Sequence, residues 1–172
     1  MPPRNNERGA AVQERSPSAA EAETLFDEHW LTAWRAAYAV TGRVDLADDA
    51  AQDAFVNAIR SWSSFDSSRP FAPWIAKIAV NRARDLLRAE RRREVGRLDE
   101  TAQAPARADV TPLLAAVAAL PVDQREAVVL HHVLGFTLRE VAEILGVPEG
   151  TAASRLGRGV AQLRETTEVE HG

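Results

Sequence analysis

Four aspartates, Asp45, Asp48, Asp49 and Asp53, lie close together with Gln52 among them. Clustered carboxylates could work as a general acid and base, or share a metal ion. Either chemistry needs partners that are missing from the sequence around them. No histidine or other base is in register, and no nucleophile motif or Gly-rich phosphate loop accompanies them. A docking face for another protein, or charge placed near a helix N-terminus, is the better reading. The histidines are His29, His131, His132 and His171. The adjacent pair His131 and His132 points to different sides of a helix and has no third ligand at metal spacing. The chain has no cysteine, which excludes disulfides and thiolate metal sites. No metal, no cofactor and no enzymatic activity are expected.

A second cluster has the opposite sign. Between Arg69 and Arg97 there are nine basic residues and three acidic ones, while the whole chain carries a formal net charge of -4. Such segregation concentrates positive potential where a polyanion would bind. The segment just before it, Trp62 to Pro70, is rich in Ser and holds Phe65 and Asp66. Aromatic and polar loop groups beside a basic helix suit unstacked, single-stranded bases. Arg91, Arg92 and Arg93 alone could be a solvated helix end that complements the macrodipole. Loop and helix together favour nucleic acid.

A third cluster, Thr151, Ser154, Arg155 and Arg158, sits behind a sharp turn, Gly146-Val147-Pro148. A helix N-terminus there would offer free N–H groups to a phosphate, and the two arginines could reach phosphates or a guanine edge. The stretch from Thr137 to Leu156 has what a helix-turn-helix needs. Thr137 and Glu140 form a capping box, Ala142 leaves room for close approach, Gly146 bends the chain, and Val147 plugs the corner.

These groups need helices to position them. Alternating apolar patterns are absent and Ala, Leu, Arg and Glu dominate, so the chain reads as all-α. The first helix spans about 22–41, with Phe26, Trp30, Ala33, Trp34 and Ala37 on one stripe and Gly42 as its stop. The second spans about 46–61, with Asp45 as N-cap and Leu46, Ala50, Ala54, Phe55 and Ile59 buried. The third spans about 71–93, with Pro73 in its first turn and Trp74, Ile75, Ile78 and Ala79 facing inward. Four more follow, at about 111–119, 121–133, 137–145 and 149–164.

The organisation is therefore two small helical domains joined by a flexible linker. Residues 1–20 read as a disordered tail without a signal-peptide core, 21–93 as a helical bundle, and 94–110 as a linker that loses periodicity. Residues 111–165 read as a helix-turn-helix domain and 166–172 as a C-terminal tail. No apolar run approaches the ~20 residues needed to cross a bilayer, so no membrane insertion and a cytoplasmic location are expected. The acidic balance argues against a strong autonomous binder of duplex DNA, but not against one that reaches DNA within a larger machine.

Across about 22–165 the chain resembles the extracytoplasmic-function (ECF) group of sigma-70 factors, which confer promoter specificity on RNA polymerase. Asp48-Asp49-Ala50-Ala51-Gln52-Asp53-Ala54-Phe55 is similar to the family's acidic segment, which binds the β′ coiled coil of core polymerase. The resemblance implies core binding by Asp48, Asp49, Gln52, Asp53 and Phe55, with the β′ clamp and β subunits as partners. The run Phe71 to Arg88, carrying Trp74, Ile75, Ile78, Asn81, Asp85 and Arg88, resembles the helix that melts promoter DNA beside the −10 element. That implies −10 contacts for Phe65, Asp66, Ser67 and Asn81, with Arg84 and Arg88 on phosphates. Leu120-Pro121, followed by Gln124-Arg125-Glu126, resembles the entry into the −35-reading domain. Gly150-Thr151-Ala152-Ala153-Ser154-Arg155-Leu156-Gly157-Arg158 resembles its recognition helix, implying −35 contacts for Thr151, Ser154, Arg155 and Arg158. Ala153 stands where a basic residue is usual. Gly157 replaces a bulkier residue, at about 0.5–1 kcal/mol of helix stability relative to Ala.

The linker is all that separates the two domains, and in the family it threads near the polymerase active-site channel. The resemblance also implies an anti-sigma factor that occludes these surfaces. Two other readings compete. One is a free-standing helix-turn-helix regulator of the LuxR type, binding operator DNA as a dimer. The other is a helical adaptor that touches no DNA.

Overall fold

The structure is a computed structural model that describes residues 16–95 and 112–169. Every regular element among them is helical: α1 (Ala19–Thr41), α2 (Val44–Arg60), α3 (Phe71–Val95), α4 (Pro112–Ala119), α5 (Val122–Val128), α6 (Leu138–Leu145) and α7 (Glu149–Val169), with a 3-10 turn at Trp62–Ser64 and a π turn at Val129–Val133. Most of the expected linker and most of the expected N-terminal tail lie outside the described residues, and the first two residues expected in the linker, Glu94 and Val95, continue α3.

Helices α1, α2 and α3 pack on one another as a first module. Its centre is lined with alanine: Ala33, Ala36 and Ala37 from α1, Ala47, Ala50, Ala51, Ala54 and Ala58 from α2, and Ala76, Ala79 and Ala83 from α3 are all buried. Small side chains at the crossings let the backbones approach closely, toward the short end of the usual ~8–10 Å interaxial range. Ile75, Val40 and Val80 fill the gaps between them. Toward one end the core turns aromatic. Phe26 and Trp30 of α1, Phe55 of α2, and Phe71 and Trp74 of α3 interlock with Trp62 and Phe65 from the intervening loop. Phe65 lies against Phe71 at 5.5 Å and Trp74 at 4.9 Å between centroids, so the Ser-rich loop is pinned by its own aromatic residues.

The ends of α1 are specified locally. Ser18 is the N-cap, and with Glu21 it closes a reciprocal capping box inside the segment expected to be tail. Gly42 terminates the helix in the left-handed region (φ 63°), returning its N–H to Tyr38 O. Asp45 does not cap α2: Arg43 occupies the cap position, and its side chain makes no cap bond. The Arg43 guanidinium grips the Asp45 carboxylate with two bonds, at 3.1 and 2.5 Å, and also reaches Glu90 of α3 at 2.8 Å. That grip holds the Asp45 carboxyl below its usual range. Ile59, expected to be buried, is 44% exposed, and Phe26 is also largely exposed.

The second module is built from α4 to α7. The capping box of Thr137 and Glu140 forms as expected, and Gly146 (φ 69°) makes the turn between α6 and α7. Helix α7 runs on through Val169, into the segment expected as a tail. The helix expected at 121–133 is α-helical only to Val128 and then widens, with the Leu134 N–H donating to Val129 O at 3.0 Å. Its residues Arg125, Glu126, Ala127, Val128, Val129 and Leu130 are buried in unbroken succession. A helix buried all round must pack on two sides. On one side lies α7, and on the other lie α1 and the first module.

Two glycines in α7 test this packing. A Cβ on Gly157 would meet open space, whereas one on Gly159 would lie 2.7 Å from Val128 Cγ2 and 3.4 Å from Gln124 O. Gly157→Ala should therefore raise thermal stability by about 0.5–1 kcal/mol through helix propensity. For Gly159→Ala the same gain is outweighed by an overpacking cost of about 1–3 kcal/mol, and the unfolding midpoint should fall. Calorimetry of the two variants checks the opposite signs.

Candidate functional site

The acidic face of α2 divides by partner. Asp48 accepts a hydrogen bond from the indole N–H of Trp34 at 2.6 Å, and Trp34 is in turn stacked on Tyr38. Asp53 accepts from Arg82 Nε of α3 at 2.7 Å. Phe55 is buried against Phe26, Trp30 and Phe71. Asp49 and Gln52 are exposed and make no such contact among the described residues. The five residues expected to bind as one set thus split into three that fasten α2 to its neighbours and two that face outward.

The loop before α3 is shaped by Asp66. Its Oδ1 accepts from the Ser68 N–H at 3.0 Å and from the Ser68 hydroxyl at 2.6 Å, which holds the carboxyl below its usual range. Ser67 is exposed at the tip, and Asn81 is exposed one face along α3. Beneath the loop is a cleft of about 220 Å³. Its α3 side is formed by Phe65, Asp66, Arg69, Trp74 and Lys77, and its other side by Glu140, Glu143 and Ile144 of α6. Arg69 Nη2 meets Glu143 Oε2 across it at 2.5 Å, and this contact holds the Glu143 carboxyl below its usual range.

The two arginines expected on phosphates behave differently. Among the described residues Arg88 pairs only with Asp85, one turn away on the exposed surface, at 2.6 Å. Arg84 crosses to the second module. Its Nη2 and Nε donate to the Glu126 carboxylate at 2.8 and 3.3 Å, and its Nη1 to Leu145 O at 3.3 Å. Glu126 is only 4% exposed at its side chain.

On α7, Ser154 and Arg158 are exposed and Thr151 is half-buried. The Arg158 Nε leans back to Ser154 O at 3.3 Å, and Arg155 lies 3.6 Å from Asp123. Ala153 is half-buried and Gly157 exposed, so neither supplies a polar contact on this face. His131 Nδ1 donates to Phe136 O at 2.7 Å and its ring meets His132 edge-on, which gives the histidine pair a structural place in the corner before α6.

The residue that sequence reading passed over is Arg125. Its Nε donates to Ala39 O at 2.7 Å and its Nη2 to Val40 O at 3.2 Å, both at the C-terminal end of α1. Its Nη1 donates to Ala118 O in the last turn of α4 at 2.8 Å and to Leu120 O just beyond it at 3.4 Å. Burial pushes its pKa down, and among the described residues it bonds carbonyls and no carboxylate. Nothing local foretells this, because the α1 carbonyls lie 86 and 85 residues away in the chain.

Asp48→Ala should cost about 1–2 kcal/mol of stability, since it strands the Trp34 N–H and removes a bond to a charged group. Asp49→Ala should change stability by less than about 0.5 kcal/mol. Urea unfolding of the two variants separates the fastening residue from the outward-facing one.

Known proteins match along both modules. A model of sigma-70 region 2 covers residues 25–93, and one of sigma-70 region 4 covers 111–163. The RNA polymerase sigma factor CarQ of Myxococcus xanthus is 38% identical over 128 residues, which span 70% of this chain and 74% of that protein. The ECF RNA polymerase sigma factor SigM of Mycobacterium tuberculosis is 34% identical over 145 residues, spanning 82% of this chain and 74% of that protein. Among solved structures, the sigma factor RpoE in complex with the anti-sigma factor NepR from Bartonella quintana superposes with a TM-score of 0.71 at 28% identity, covering 86% of this chain and 96% of that one. The region 2 match accounts for the first module, which a free-standing regulator or an adaptor left unexplained. The chain belongs to the sigma-70 family and is an ECF RNA polymerase sigma factor, a promoter-specificity subunit for transcription initiation.

Proposed function

We propose that this sigma factor seats on core RNA polymerase through the outward face of α2, with Asp49 and Gln52 as the direct contacts. The observation that carries this is the division of partners: Asp48 is spent on Trp34, Asp53 on Arg82 and Phe55 on the aromatic core, while Asp49 and Gln52 point to solvent. Asp48, Asp53 and Phe55 position that face.

The loop and α3 read the −10 element. Phe65, Asp66 and Ser67 line the approach of an unstacked base, Asn81 lies beside it, and Arg84 and Arg88 serve the phosphates. The basic surface and the aromatic floor are the pairing that single-stranded nucleic acid requires. Helix α7 reads the −35 element with Thr151, Ser154, Arg155 and Arg158. Its N-terminus is set for the major groove by the Gly146 turn. No step in this scheme asks the chain for catalysis; phosphodiester chemistry belongs to the polymerase. A cytoplasmic location goes with such a task, and among the described residues no helix is long and apolar enough to cross a membrane. The structural neighbour bound to NepR supports control by an anti-sigma factor here too.

The double variant Asp49→Ala, Gln52→Ala should weaken binding to sigma-free core polymerase about tenfold or more, a loss of about 1.4 kcal/mol or greater. Asp48→Ala, assayed well below its unfolding midpoint, should bind within about twofold of the unaltered chain. Fluorescence titration with labelled core enzyme measures both. Undiminished binding by the double variant contradicts this docking face.

A further inference from the structure

Of the groups that the reading above assigns to promoter DNA, Arg84 is held by the second module, and Phe65 and Asp66 line a cleft that the second module closes. The cleft under Phe65 and Asp66 is closed on one side by Glu140, Glu143 and Ile144 of α6. Arg69, at its rim, carries the Glu143 carboxylate where a phosphate oxygen would otherwise bind. Arg84 is committed to the buried Glu126 and to the end of α6 at Leu145 O. The space left, about 220 Å³, falls below the ~300–1,000 Å³ of ordinary ligand pockets. Behind these contacts the two modules share a continuous apolar core in which Ala127, Leu130, Ile144 and Leu145 join Ala36, Val40 and Ala83. The Arg125 guanidinium ties the end of α1 to the end of α4.

We infer that the free chain is self-latched: α5 and α6 cover its own −10-reading cleft, with Glu126 and Glu143 standing in for DNA phosphates on Arg84 and Arg69, so the cleft takes single-stranded DNA only after the modules part. The inference rests on the −10 assignment above. It goes beyond that assignment by placing an inhibitory contact within the chain itself, with no partner needed. Carboxylate and phosphate compete for the same guanidinium groups, so polymerase and promoter together supply what separates the modules.

The test uses the full chain and a fluorescein-labelled single-stranded DNA of random sequence, about 12 nucleotides long. The variant Glu126→Gln, Glu143→Gln should bind this probe about tenfold more tightly than the unaltered chain. That is the factor expected if roughly one unaltered chain in ten is open. A charge-matched control at exposed positions of α1, Glu23→Gln, Asp27→Asn, leaves the latch in place and should gain less than about twofold. Equal gains in both, or no gain in either, overturn the latch.

Should the first variant lose its helical circular-dichroism signal, Glu143→Lys at the exposed rim replaces it, compared with Glu23→Lys under the same criterion. A parallel run-off assay with sigma-free core polymerase on genomic fragments keeps the two claims apart. Promoter-specific transcripts from the unaltered chain, together with unchanged probe binding by the latch variants, refute the latch alone. Failure to make any such transcript refutes the functional reading and the latch with it.

Discussion

A buried guanidinium that finds no carboxylate is the constraint on which this structure turns. Arg125 stays charged in any protein setting, and moving a charge out of water is expensive unless its donors are met. Here four carbonyl oxygens meet them, two from the end of α1, one from the last turn of α4 and one just after it. Helix C-termini carry partial negative charge and leave carbonyls unsatisfied, so one cation meets both needs at once. The cost and the remedy sit on different modules. Separating them would strand the guanidinium, or the α1 carbonyls, unless water replaced the lost bonds. Gly42 makes the geometry possible: its left-handed turn ends α1 beside Arg125, and a Cβ there would already stand 3.5 Å from Nη2.

The rest of the charge pattern follows the same logic of substitution. Arginines on α3 and just before it are answered inside the chain by acids drawn from other helices, Asp53 for Arg82, Glu126 for Arg84 and Glu143 for Arg69, while Glu90 of α3 itself answers Arg43. Most of these pairs are partly solvated and individually worth little. Arg84 with Glu126 differs because its acid is buried, and breaking a buried pair from one side leaves an uncompensated charge. A chain with a net charge of -4 can therefore carry a DNA-facing surface without behaving as an autonomous DNA binder. Arg69, Arg82 and Arg84 already hold carboxylates of the chain itself.

How much of this was legible depended on the range of the interaction. Contacts that close within one turn were readable: the Thr137–Glu140 capping box, the Gly146 turn and the apolar stripe of α3 all stand where residue spacing puts them. The Ser18–Glu21 box carries the same signal and was hidden only by the Pro- and Ser-rich composition around it. Asp45 shows how a local rule fails: a cap-forming residue was diverted by an arginine two positions earlier that can hold it with two bonds. Ile59 fitted the buried stripe of α2 but is exposed, while its neighbour Ala58 is buried. Of the candidate site, the residue types and order were readable, and the division of labour among Asp48, Asp49, Gln52 and Asp53 was not. That division depends on Trp34 and Arg82 arriving from other helices. The roles of Arg125, Glu126 and Arg84 lay further out of reach, because their partners are 42 to 86 residues away.

The central claim is that Arg125 makes one body of two modules. The chain has no cysteine, so nitroxide labels can be placed at Ser63→Cys and Gln162→Cys alone, one on each module. Pulsed electron-spin measurement of the distance between them, in the free chain, should give a single narrow distribution that broadens and lengthens when Arg125 is changed to methionine. A broad distribution in the unaltered chain, or a narrow one that survives the loss of Arg125, would contradict the account.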